Sequence, residues 1–124
     1  HEAGDDVLNT MGQRMSALVR EVDTVARIGG DEFIILLDGA DNQAEITQIA
    51  QRMVDTLQRP VTYRGQQLNC GASIGIGCFP QDGEDITSLI AAADQAMYVA
   101  KQSGRNQLRF ASALADSSKV RSDP

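Results

Sequence analysis

The chain has 124 residues, 42% of them hydrophobic, enough for one globular domain with its own core and no need of disulfide or metal staples. Its net charge of −6 argues against a general binder of nucleic-acid polymers, which needs clustered lysine and arginine, but leaves room for a mononucleotide held by a few local cations such as Lys101 and Arg105. No apolar run approaches the roughly 20 residues of a membrane span and no signal-peptide pattern opens the chain, so no direct membrane contact is expected of this segment.

Residues 5 to 21 place Val7, Leu8, Met11, Met15, Leu18 and Val19 at spacings of one, three and four, the stripe of a helix that covers a sheet. Val25-Ala26-Arg27-Ile28 and Phe33-Ile34-Ile35-Leu36-Leu37 are strand-like runs around Gly29 and Gly30, which predicts a hairpin over 24 to 37 with the glycines at positive φ and Phe33 in the core. Asp41 is the expected N-cap of the next helix, whose stripe is Ala44, Ile46, Ile49, Ala50, Met53, Val54 and Leu57 and which Pro60 ends. Val61-Thr62-Tyr63 and Gln66-Gln67-Leu68 flank Arg64-Gly65 as a small hairpin.

Leu68, Cys70, Ala72, Ile74, Ile76 and Cys78 alternate as one long strand, with Gly71, Ser73, Gly75 and Gly77 on the other face admitting a closely packed helix. On such a strand Cys70 and Cys78 lie roughly 26 Å apart, too far for a disulfide, so both are expected to be reduced and structural. Asp85 caps a helix with Ile86, Leu89, Ile90, Ala93, Ala96, Met97 and Ala100 inward and Gly104 at its left-handed C′ position, and Gln107 to Phe110 form a last strand. The expected fold is α+β, helices on a mostly antiparallel sheet, with residues 1–110 as the domain and 111–124 as a disordered tail or linker.

The hairpin tip carries the chemistry. Glycines let a backbone approach a phosphate, and the adjacent carboxylates Asp31 and Glu32 can hold a divalent cation. No Ser-His-Asp, Cys-His or H-E-x-x-H arrangement competes for a hydrolytic reading.

Arg27-Ile28-Gly29-Gly30-Asp31-Glu32-Phe33 resembles the signature of the GGDEF family, the diguanylate cyclases of bacterial second-messenger signalling. Three flanking segments strengthen the resemblance in the family's order. His1-Glu2-Ala3-Gly4-Asp5 is similar to the end of its N-D-x-x-G-H-x-x-G-D motif, and Ser73-Ile74-Gly75-Ile76-Gly77 to its S-I-G-I strand. Ala93-Asp94-Gln95-Ala96-Met97-Tyr98-Val99-Ala100-Lys101 with Gly104-Arg105-Asn106 is similar to its A-D-x-A-x-Y-x-A-K-x-x-G-R-N segment.

The resemblance implies a palm-like, nucleotidyl cyclase-like fold. It also implies condensation of two GTP molecules into cyclic di-GMP by a homodimer, each 3′-hydroxyl attacking the other nucleotide's α-phosphate with help from Mg²⁺, or from Mn²⁺. On that pattern Asp31 binds metal and acts as base, Glu32 lies near the metal, and Gly29 and Gly30 lie against the nucleotide. Asp5 accepts from the guanine edge, while Lys101 and Arg105 hold the terminal phosphates. Arg20-Glu21-Val22-Asp23 resembles the family's inhibitory R-x-x-D motif, with five residues, Thr24 to Ile28, separating Asp23 from Gly29, which implies feedback by bound product through Arg20 and Asp23.

The family domain normally begins upstream of these matches, with a first strand and helix that carry a further metal-binding aspartate and a guanine-binding asparagine. The piece alone is therefore expected to be inactive, and its exposed sheet position invites a swapped dimer. The domain is expected to be cytoplasmic, any membrane anchor lying elsewhere in a longer parent. The alternative is a non-catalytic GGDEF module that binds cyclic di-GMP or GTP and regulates a fused domain.

Overall fold

A four-residue link, Ile28 to Asp31, joins the two strands that present the acidic tip, and the rest of the fold is arranged around that hairpin. The computed structural model describes residues 2–38 and 43–112. Their order is α1 (Glu2–Ser16), β1 (Thr24–Arg27), β2 (Glu32–Asp38), α2 (Gln43–Gln58), β3 (Val61–Tyr63), β4 (Gln66–Leu68), β5 (Ser73–Phe79), α3 (Ile86–Gln102) and β6 (Gln107–Phe110). The expected cap Asp41 and tail residues 113–124 lie outside the described residues.

The fold is α+β, as expected, but its main sheet is mixed. Its order is β1-β2-β5-β6, with β1 and β2 antiparallel and both β2–β5 and β5–β6 parallel. The expectation of a mostly antiparallel sheet is corrected by the connections. The chain reaches β5 from β2 through α2 and the β3–β4 hairpin, and reaches β6 from β5 through α3, and a helical crossover returns a strand in its original direction. The four strands pair without a gap, so among the described residues the positions lacking a neighbour are the outer edges of β1 and β6.

Alternation along β2 divides the core into two layers. Phe33, Ile35 and Leu37 pack with α1 and α2 through Val7, Met11, Met15, Ile49, Met53 and Leu57. Ile34 and Leu36 pack on the opposite face with Leu89, Ala93 and Met97 of α3. Gly75 determines how near α3 can come, because a Cβ there would run into the Ala93 carbonyl and the Met97 backbone nitrogen.

Several boundaries move. α1 stops at Ser16 rather than 21, and Leu18 and Val19 reach the core from the following turn. The expected strand from Leu68 to Cys78 is broken, because Gly71 adopts φ +65 and the chain rejoins the sheet only at Ser73. Cys70 therefore lies in a loop, not on one strand with Cys78; both thiols are free and buried. Ile86 and Ile90, expected inward, are exposed, since α3 buries only the narrow strip that meets the small residues of β5. The Arg64-Gly65 turn has φ +50 and +81, the paired positive values of a two-residue hairpin. Asp85 caps α3, its carboxylate accepting from the Ser88 N–H at 2.8 Å, a bond that holds the Asp85 carboxyl below its ordinary pKa.

Candidate functional site

The tip is held by its own backbone. Ile28 N–H donates to the Glu32 carbonyl at 2.8 Å, and Ser73 N–H donates to the Asp31 carbonyl at 2.8 Å, tying the tip to the start of β5. Neither Gly29 nor Gly30 takes a positive φ, which corrects that expectation. A four-residue link has room to turn through ordinary backbone angles, and Gly29 serves close approach instead. A Cβ there would meet the Glu32 carboxylate, whereas one on Gly30 would stand in open space.

Two cations from the end of α3 meet the two carboxylates of the tip. Lys101 Nζ donates to Glu32 Oε2, and Arg105 Nη1 lies 2.7 Å from Asp31 Oδ2. Lys101 sits on the helix, but Arg105 lies beyond it. The helix closes with Ser103 N–H on the Val99 carbonyl and Arg105 N–H on the Ala100 carbonyl, the latter the 6→1 bond of a Schellman end. Gly104, Arg105 and Asn106 follow at φ +115, +62 and +48. Two successive left-handed non-glycine residues are uncommon, and here they carry the Arg105 side chain back over the tip.

Arg27 is the residue that sequence reasoning missed. Its Nε donates to the Gly30 carbonyl at 2.8 Å and the Gly29 carbonyl at 3.2 Å, its Nη1 to Asn9 Oδ1 at 3.3 Å, and its Nη2 to Asp5 Oδ1 at 3.0 Å. One guanidinium thus joins the glycine turn to α1, a use of its forked donors that a Lys could not copy. Its place in the motif, two residues before the glycines, was the available signal. The Arg27 hydrogen bond holds the Asp5 carboxyl below its usual pKa, and Asp5 is thereby connected to the tip. Beside it, a groove of about 490 Å³ between α1 and the hairpin is lined by Leu8, Asn9, Gly12, Val25, Arg27 and Phe33, among others.

Arg20 and Asp23 meet at the other end of β1, about 13 Å from the tip for four strand residues. The Asp23 side chain is fully shielded from solvent. Its carboxylate accepts from the Arg20 backbone N–H at 2.8 Å, the Asp38 N–H at 2.9 Å and Arg20 Nε at 3.3 Å. Arg20 also reaches the Asp38 carbonyl and Glu45 and keeps a half-exposed guanidinium.

Asp31 and Glu32 supply two carboxylates, and among the described residues no group of three or more His, Cys, Asp or Glu side chains could enclose a metal ion. Such a donor set suits Mg²⁺, which keeps waters and takes phosphate oxygens beside one or two carboxylates, and does not suit an all-protein cage.

A family model described as "Diguanylate cyclase, GGDEF domain" matches residues 1–107. The chain is 40% identical over 110 residues to the Pseudomonas aeruginosa protein named bifunctional diguanylate cyclase/cyclic di-GMP phosphodiesterase MucR, covering 89% of this chain and 16% of that one. It is 37% identical over 112 residues to diguanylate cyclase TpbB of Pseudomonas aeruginosa, covering 90% and 26%. Its structure is similar to the GGDEF domain of TpbB (YfiN), with a TM-score of 0.73 at 36% identity, over 89% of this chain and 69% of that one. An EAL/GGDEF domain protein from M. capsulatus gives 0.68 at 40% identity, over 89% and 71%. With the family match, the shared fold and the acidic tip in agreement, this chain belongs to the GGDEF domain family of diguanylate cyclases.

Proposed function

We propose that this chain carries the GTP site of a diguanylate cyclase, which condenses two GTP molecules into cyclic di-GMP as a homodimer, each protomer holding one nucleotide. The observation that supports it best is the pair of ion pairs at the tip, Asp31 with Arg105 and Glu32 with Lys101. A Mg²⁺·triphosphate presents the complementary charges. Lys101 and Arg105 turn to the phosphate oxygens while Asp31 and Glu32 turn to the cation, so each charge exchanges one partner for another and none is left bare. When bound, Mg²⁺ neutralises the charge that develops on the transferring phosphate.

In this reading Asp31 also takes the proton from the attacking 3′-hydroxyl. Gly29 and Gly30 let the backbone lie against the nucleotide, Arg27 keeps the turn in shape, and Asp5 accepts from the guanine edge. Arg20, through its half-exposed guanidinium, binds cyclic di-GMP as an inhibitory ligand, and the shielded Asp23 orients it. The 1–110 unit acts as the GGDEF domain in this reading.

Calorimetric titration with Mg²⁺·GTP and with cyclic di-GMP, beside Arg105→Ala and Arg20→Ala, tests both sites. Binding of GTP lost in the first variant and binding of cyclic di-GMP lost in the second is the expected result; binding of either nucleotide unaffected by its variant refutes that site. A second reading, a regulatory module that binds nucleotide without synthesis, draws support from the likeness, at 35% identity over 111 residues, to a Pseudomonas aeruginosa protein named cyclic di-GMP phosphodiesterase NbdA. Conversion of GTP to cyclic di-GMP by the purified protein would exclude it.

A further inference from the structure

Ser73 is fully buried, and its hydroxyl is the one buried side-chain polar atom among the described residues that makes no hydrogen bond. Native interiors rarely leave such a group unpaired, and each instance calls for a reason.

Its position supplies one. Ser73 opens β5, in register with Glu32 of β2 on one side and Gln107 of β6 on the other. Residues directly opposite on neighbouring strands project to the same face, and the strands lie about 4.8 Å apart. Glu32 shares its face with Ile34 and Leu36, the face that packs on α3. Ser73 shares its face with Gly75, which abuts Ala93 and Met97. Lys101 lies one helical turn beyond Met97, so the Ser73 hydroxyl lies beneath the Lys101–Glu32 ion pair, on the face of the sheet from which Glu32 rises.

While Lys101 holds Glu32, that carboxylate has its donor and the hydroxyl has no task. We propose that Ser73 is a positioning residue for the substrate-bound state: when Lys101 leaves Glu32 for a phosphate oxygen, the Ser73 hydroxyl donates to the Glu32 carboxylate and keeps it aimed at the cation. The inference rests on the nucleotide reading of the tip and deepens it. In the ligand-free chain the hydroxyl is a destabilising group held for use, since a buried donor without a partner weakens the fold.

The test compares wild type with Ser73→Ala in two measurements. In thermal unfolding without ligand, the variant is expected to melt at the same temperature or higher. In calorimetric titration with Mg²⁺·GTP it is expected to bind about 10- to 100-fold more weakly, the scale of one hydrogen bond to a charged group. In a Glu32→Ala background, the same Ser73→Ala change should have no further effect on affinity. A melting temperature several degrees lower would make Ser73 a structural hydroxyl and overturn the proposal, as would unchanged affinity or an undiminished effect in the Glu32→Ala background. Failure of the wild-type chain to bind Mg²⁺·GTP would instead refute the functional reading itself, and this inference with it.

Discussion

Arg105 Nη1 lies 2.7 Å from Asp31 Oδ2, an ion pair between residues 74 positions apart in sequence. Neither partner is deeply buried, so screening by water leaves the pair little weight in stability. The left-handed backbone at Arg105 and Asn106 is therefore not explained by the energy of that bond alone. On the proposed nucleotide reading, the pair is there to be exchanged for the charges of a Mg²⁺·triphosphate.

Asp31→Asn and Arg105→Ala should each change the unfolding free energy by less than about 1 kcal/mol in urea titration. Both should nevertheless weaken Mg²⁺·GTP binding by tenfold or more. A large loss of stability in either variant would make the pair a structural clamp.

Gly75 and Gly30 give opposite expectations for the same substitution. Gly75→Ala forces α3 away from β5, because the obstructing atoms are the backbone of Ala93 and Met97, and should destabilise by about 1–3 kcal/mol or more. Gly30→Ala meets nothing within 4 Å and should leave the urea midpoint essentially unchanged.

Asp23 and Arg20 should separate in the same way. Removing the shielded Asp23 carboxylate leaves the Arg20 and Asp38 backbone N–H groups without their acceptor, so Asp23→Ala should cost about 1–3 kcal/mol. Arg20→Ala, at a half-exposed side chain, should cost much less. A test of cyclic di-GMP binding is clean only in the second variant.

Asp85 and Cys78 each contribute a pH dependence that can be followed separately. The Asp85 carboxyl is held below 3.8 in the folded chain, chiefly by the Ser88 N–H, so its contribution is present above that value and is lost as pH falls through the lower folded pKa. Asp85→Ala should therefore cost more stability at neutral pH than in strong acid. Burial pushes the Cys78 thiol up to about 11 from 9.0. Between those values the unfolded chain loses a proton that the folded one keeps, so stability should decline as pH rises through that window, and Cys78→Ser should flatten the decline. Denaturant titrations across pH measure both, and iodoacetamide should label Cys78 only after unfolding.

Local features were legible in the sequence because local chemistry decides them. The cap Asp85, the left-handed Gly104, the Arg64-Gly65 turn and the hairpin with Asp31 and Glu32 at its tip all follow from residues a few positions apart. Tertiary structure alone decided what depends on distant partners. The parallel pairing of β2 with β5 follows from where a crossover returns the chain, and alternation of apolar residues does not record strand direction. Ile86 and Ile90 face outward because the small-residue face of β5 receives only a narrow strip of α3, although their spacing fits an inward stripe. Arg27 bridging the turn to Asp5, Arg105 reaching back to Asp31 and Ser73 buried without a partner are likewise invisible in one dimension. A side chain's pairing is set by what the fold brings within about 3 Å of it, and a sequence carries that information only through the whole chain at once.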